Sequence, residues 1–204
     1  MSNKKILTVF ALLFYSYGCN DNPSSANNYQ NFYPLNIGNR WEYKQQFFDS
    51  TGVATDSAKF TESVVGDTVI AGEKWYQYIS IENAFPSGVK NYYINRPDGL
   101  YYFSALSPTP QLSYKYPVQV NEVYNVSMKI ISVNEIVQTS DGKFNCVVYQ
   151  QKTVATNYSA GAVVYINTFI SPGIGKIKTE LFHYSSQLVK VEDGIIELYQ
   201  YQLN

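Results

Sequence analysis

The stretch RWEYKQQF, Arg40 to Phe47, alternates: Trp41, Tyr43 and Phe47 fall on one side of an extended chain, Glu42, Lys44 and Gln46 on the other. A period of two marks a strand with one buried and one wet face. KIKTEL, Lys176 to Leu181, repeats the pattern. Ile177, Thr179 and Leu181 are expected inside and Lys176, Lys178 and Glu180 outside. GAVVYINTFI (161–170) and DGIIELYQYQL (193–203) are apolar or aromatic on both faces and read as central strands.

Turn chemistry separates these runs. NRPDG (95–99) offers Pro97 to preset φ and Gly99 to take a positive φ. SDG (140–142) joins two strands, and EDG (192–194) is expected to join the last pair. DSTG (49–52), AGE (71–73) and PSG (86–88) mark further turns. The strongest helical candidate, NEVYNVSMKI (121–130), is too rich in β-branched residues. The chain therefore predicts an all-β fold, an antiparallel meander of about ten to twelve strands in a strongly curved sheet or open barrel.

Composition agrees. Among 204 residues, 16% are aromatic, with 20 tyrosines, and 15% are charged, against roughly a quarter in an average chain. A net charge of −1 with no cluster of Lys and Arg argues against nucleic acid.

The N-terminus has its own logic. Lys4 and Lys5 precede an uncharged run, Ile6 to Gly18, and then Cys19. As a helix that run spans about 20 Å, short of the roughly 30 Å hydrocarbon core. Residues 1–18 thus read as a signal peptide. The segment Ser16-Tyr17-Gly18-Cys19 resembles a bacterial lipoprotein signal of the relaxed kind found in Bacteroidetes, which implies acylation of Cys19. An ordinary secretory signal with an incidental Cys19 is the competing reading. The Asn-, Ser- and Pro-rich stretch up to Asn31 reads as a flexible tether, residues 19–31 in all, which favours acylation. A single β-rich domain is expected over 32–204. With Cys19 acylated, Cys146 has no disulfide partner and is expected to be a buried small hydrophobe.

A faint internal echo runs through that domain. PLNIGNRWEY from Pro34 and PVQVNEVYNV from Pro117 share their pattern, and each is followed by a Tyr-Ile-Asn strand, at Tyr93 and at Tyr165. Two repeated half-sheets would explain the order.

FYPLNIGNRWEY (32–43), DGKFNCVVY (141–149) and SPGIGKIK (171–178) resemble a set of uncharacterised bacterial lipoproteins with a PLxxGNxW start and a PGxG motif near the end. The resemblance implies an exported, membrane-tethered β domain and supplies no activity. Lys176 stands where that set has an aliphatic residue, which is expected to make a strand edge more polar. Asp49-Ser50-Thr51, Asp56-Ser57-Ala58 and Asp67-Thr68-Val69 look like the O-glycosylation acceptors of Bacteroidetes.

Catalytic constellations are hard to assemble. The single histidine, His183, has no second histidine or nearby cysteine for a metal, and no Gly-x-Ser-x-Gly presents a nucleophile. Asp67, Glu73, Asp98, Asp141 and Asp193 fall at expected turns. No enzyme activity, cofactor or metal site is expected. The candidate binding residues are aromatic: Trp75, Tyr76, Tyr78, Tyr92, Tyr93, Tyr101 and Tyr102 occupy both faces of neighbouring strands, and an exposed aromatic face would suit a glycan or a protein partner.

Three functions follow as expectations. The first is a lipid-anchored envelope protein, at the outer membrane with its face left open, whose non-enzymatic domain binds a ligand or partner or has a structural role. The second is a lipid or lipoprotein carrier with an apolar concave sheet. The third, least favoured, is a polysaccharide-active enzyme, which requires two carboxylates facing each other across a cleft.

Overall fold

The computed structural model describes residues 31–49, 51–82, 85–104, 107–154, 163–185, 187 and 189–204; Cys19 and the rest of the signal and tether lie outside them. The strands are β1 (Arg40–Phe48), β2 (Ala54–Ile70), β3 (Glu73–Glu82), β4 (Phe85–Arg96), β5 (Gly99–Ser104), β6 (Ser107–Lys115), β7 (Val123–Tyr124), β8 (Met128–Thr139), β9 (Gly142–Val154), β10 (Val163–Ser171), β11 (Gly175–Tyr184) and β12 (Lys190–Gln202). All twelve belong to one antiparallel sheet in the order β6-β5-β4-β3-β2-β1-β12-β11-β10-β9-β8-β7. Among the described residues there is no α-helix, and none long and apolar enough to cross a membrane. The meander expected from the alternation is the fold.

The first and last strands pair in the middle of this sheet, and its two edges, β6 and β7, are consecutive in the chain. Among the described residues no ladder joins those edges. Side chains do so instead. The Tyr124 hydroxyl donates to the Ser113 carbonyl at 3.3 Å, Asn125 Nδ2 to the Leu112 carbonyl at 2.7 Å, and the Tyr149 hydroxyl to the Lys115 carbonyl at 2.8 Å. Lys115 also pairs with Glu122. The sheet thereby curls into a nearly closed barrel.

The core follows from the inward residues of these strands. Trp41 and Tyr43 of β1, Ile170 of β10, Ile177 of β11, Leu198 of β12, and Ile130 and Tyr149 of the β8–β9 pair are all buried. Phe32 and Tyr33, just before β1, are buried too; the Phe32 ring stacks on Tyr116 at 4.4 Å. Cys146 has no exposed surface, as expected, and burial pushes its thiol up to about 12.

The echo falls on equivalent places. Each half is a six-strand meander, β1–β6 and β7–β12, and the two Tyr-Ile-Asn runs lie in the fourth strand of each. Each half opens with the same turn. Asn39 N–H donates to the Asn36 carbonyl, and Glu122 N–H to the Gln119 carbonyl. Gly38 donates to Val64, which donates back to Asn39; Asn121 donates to Ile130, which donates back to Glu122. Gly38 and Asn121 both take a positive φ, +96° and +67°.

Two turn expectations fail. Glu192-Asp193-Gly194 lies inside β12 instead of joining it to β11. Gly194 is there because a Cβ would stand 3.3 Å from the Phe47 ring and 3.4 Å from the Gln46 carbonyl, so only a bare backbone fits comfortably. Asp193 is the extra residue of a bulge, with Leu181 facing Gly194 and Phe182 facing Glu192. Likewise Gly88 of PSG lies within β4, with φ +72°.

Candidate functional site

The described polar groups that converge inside the barrel do so around Glu62. In β2 the residues Phe60, Glu62 and Val64 share a face, and Val64 and Glu62 are buried. That alternation carries a carboxylate into an apolar interior. Lys176 meets it there: Nζ lies 2.7 Å from Glu62 Oε1. The expectation that Lys176 sits on the wet face of β11 is wrong, and the cause is a bulge. Phe169 faces Lys178 but Ile170 faces Lys176, which leaves Ile177 as an extra residue. A bulge breaks the period of two and re-aims a side chain. Lys176 turns in beside buried Ile170, while Lys178 remains across from Glu197.

Tyrosines enclose the pair. The Tyr78 hydroxyl donates to Glu62 Oε2 at 2.6 Å, and the Tyr33 hydroxyl lies 3.3 Å from that of Tyr78. Lys176 Nζ stands 4.7 Å from the Tyr43 ring centroid, and the Tyr43 hydroxyl donates to the Lys176 carbonyl at 3.0 Å. Burial, and next the Glu62 charge, hold the phenols of Tyr33, Tyr43 and Tyr78 well above the usual tyrosine range, so all three are neutral donors. Burial raises Tyr93 and Tyr114 likewise. The ion pair is 20% exposed at lysine and 10% at glutamate. Pairs this deep contribute little net stability, yet loss of one partner strands the other charge.

A cavity of about 100 Å³ adjoins the pair, lined by Tyr33, Glu62, Tyr78, Tyr93, Leu100, Ser113, Tyr114 and Lys176. Drug-sized ligands occupy pockets of roughly 300–1,000 Å³. An acyl chain does not fit in this one, and Glu62 faces a lysine instead of a second carboxylate.

The seven aromatics divide. Tyr78 and Tyr93 line the cavity, their rings 5.2 Å apart. Tyr102 lies 6.5 Å beyond Tyr93 and bonds to Gln111. Tyr76 is half-buried against the core. Trp75 and Tyr101 gather around Arg96, whose guanidinium carbon is 5.6 Å and 4.6 Å from their rings. Trp75 is buried, and its indole N–H has no hydrogen-bond partner among the described residues. Tyr92 is half-buried. His183, far from Glu62 in the ladder order, holds Asp193 at 2.9 Å. Among the described residues no cluster of His, Cys, Asp and Glu is suited to a metal.

Neither Glu62 nor a partner for Lys176 stands out in the sequence. The parity of Phe60, Glu62 and Val64 was a usable signal, since a carboxylate on an apolar face demands one.

No family model matches the chain, and no curated protein does. Two solved structures share its architecture. One is an inferred exported protein with a YmcC-like fold from Bacteroides fragilis NCTC 9343, with TM-score 0.56 and 12% identity over 84% of this chain and 98% of that one. The other is an inferred lipoprotein from Parabacteroides distasonis ATCC 8503, with TM-score 0.52 and 15% identity over 85% of this chain and 99% of that one. At such identities the likeness is one of fold, and the barrel described above is of the YmcC-like kind.

Proposed function

We propose that this chain is a lipoprotein of the bacterial cell envelope, acylated at Cys19, whose barrel is a non-enzymatic binding module. The observation that carries the binding role is the Glu62–Lys176 pair, buried among tyrosines beside a cavity. A barrel selected for stability alone is served as well by apolar residues at those positions. Export and acylation are supported by the signal-like residues 1–19 and by the descriptions of the two structural neighbours as exported protein and lipoprotein. The outer membrane is the favoured location, because no strong inner-membrane retention signal directly follows Cys19. From Cys19 to Phe32 an extended tether reaches at most roughly 45 Å, so the barrel works close to the membrane.

Mass spectrometry of the chain from its native envelope tests this. Diacylglyceryl on residue 19 is expected, with loss of residues 1–18, and Cys19→Ala should release the protein into the soluble fraction. An unmodified Cys19 on a chain that keeps its first segment would overturn the reading.

A further inference from the structure

The cavity beside Glu62 and Lys176 is chemically selective. At about 100 Å³ it has room for roughly three waters, or for one group of roughly four non-hydrogen atoms. Its two charges satisfy each other at 2.7 Å. A charged ligand would have to compete for one of them, so a neutral group is favoured.

The unspent hydrogen-bonding capacity is specific. Glu62 accepts one bond on each oxygen, from Lys176 and from Tyr78, and keeps further lone pairs. Lys176 has three N–H donors and gives one to Glu62. Tyr93 lines the cavity with its ring 5.2 Å from that of Tyr78, and among the described residues its hydroxyl has no hydrogen-bond partner. Leu100, also buried, adds an apolar wall, and tyrosine rings form most of the rest.

One small group answers all of this: a planar amide. It carries an acceptor oxygen and an N–H donor, it is flat enough to lie against aromatic rings, and an acetyl methyl supplies an apolar end. A hydroxyl is neutral but offers no flat apolar part. A carboxylate or an ammonium breaks the ion pair.

We propose that the Glu62–Lys176 cavity is a subsite for a neutral, acetamido-sized amide group. Its carbonyl oxygen accepts from Lys176 and Tyr93, its N–H donates to Glu62, and its methyl rests on Leu100. This assignment rests on the reading of the barrel as a binding module. N-acetylated sugars and acetylated peptide ends both carry the group.

Saturation-transfer NMR on the acylated full chain in detergent micelles tests the proposal, with acetamide, N-acetylglucosamine, N-acetylglycinamide, glucose and acetate as separate probes. Acetamide should bind with a Kd of about millimolar, and Tyr93→Phe, which keeps the ring, should weaken it roughly fivefold with Tm unchanged. Stronger binding of N-acetylglucosamine or of N-acetylglycinamide then tells sugar from peptide. If glucose or acetate binds in a Tyr93-dependent way and acetamide does not, the amide assignment falls while the binding module stands. If no probe shows Tyr93-dependent binding, both fall at this cavity.

Discussion

Glu62 is a carboxylate set among phenols, with the Lys176 ammonium at 2.7 Å. Removing Lys176 leaves it charged in an apolar interior, so Lys176→Met should cost about 3 kcal/mol. Converting both positions, Glu62→Leu with Lys176→Met, should restore most of that loss, because the stranded charge disappears. Urea unfolding of the two single variants and the double variant gives the coupling; additive costs would show that the two groups do not act as a pair. The neighbouring phenols make a separate statement about pH. Tyr33, Tyr43 and Tyr78 have folded pKa values held above the ordinary value by burial and by the Glu62 charge. Above pH of about 10 the unfolded chain releases phenolic protons that the folded chain keeps. The stabilisation is therefore complete below that pH and is lost as pH rises. The tyrosinate absorbance of the buried phenols should appear together with the loss of far-UV circular dichroism in one alkaline step. Early titration of all twenty tyrosines with the sheet intact would contradict the burial.

At the scale of the strand, bulges decide which side chains reach the interior. The bulge at Ile177 lets Lys176 face inward while Lys178 remains across from Glu197, and Asp193 is the inserted residue that reaches His183. Deleting Ile177 should remove the bulge and leave Lys176 opposite Ile170 and Lys178 opposite Phe169, so Lys176 should stay inside beside Glu62. A loss of about 2–5 kcal/mol is expected for the missing core side chain, and Lys176→Met should still cost about 3 kcal/mol in the deletion variant; a deletion variant whose urea unfolding no longer responds to Lys176→Met would refute this. The same bulge explains what could and could not be read beforehand. Alternation in RWEYKQQF and the turns at Gly99 and Gly142 were legible because backbone sterics act locally. Lys176 was misplaced because a bulge has no sequence signature of its own, and EDG misled because a glycine needed for close packing looks like a turn glycine. Edges obey a different rule. β6 is a sheet edge and contains Pro108 and Pro110, which remove two N–H donors from it. Replacing both with Thr should raise self-association, read by sedimentation at increasing concentration, with the monomer's circular dichroism unchanged; a variant that stays monomeric would show that the prolines do not guard that edge.

For the whole molecule, the decisive fact is that the first and last strands meet in the interior of the sheet while its edges lie between them in sequence. β1 pairs with β12 along its length, from Arg40 with Gln202 to Phe47 with Gly194. Beyond the strands, Asn36 Nδ2 donates to the Asn204 carbonyl at 2.7 Å and the Asn204 N–H to Asn39 Oδ1 at 2.7 Å. The echo between Pro34 and Pro117 was legible as a pattern, but the closure that joins the halves was not, since β1–β12 pairing links residues far apart in the sequence. Such a barrel divides unequally. The β6–β7 seam is held by side chains and one ion pair, the β1–β12 seam by a full ladder. A circular permutant that joins Asn204 to Phe32 by a short linker and opens between Val118 and Gln119 should therefore fold, giving up about 1–3 kcal/mol for the loosened turn and stitches. Residues 32–118 alone retain β1–β6 but expose β1 as a long unpaired edge, and they should aggregate. Circular dichroism and size exclusion distinguish the outcomes. A half that remains a folded monomer, beside a permutant that does not fold, would mean that the β1–β12 ladder is not what unites the barrel.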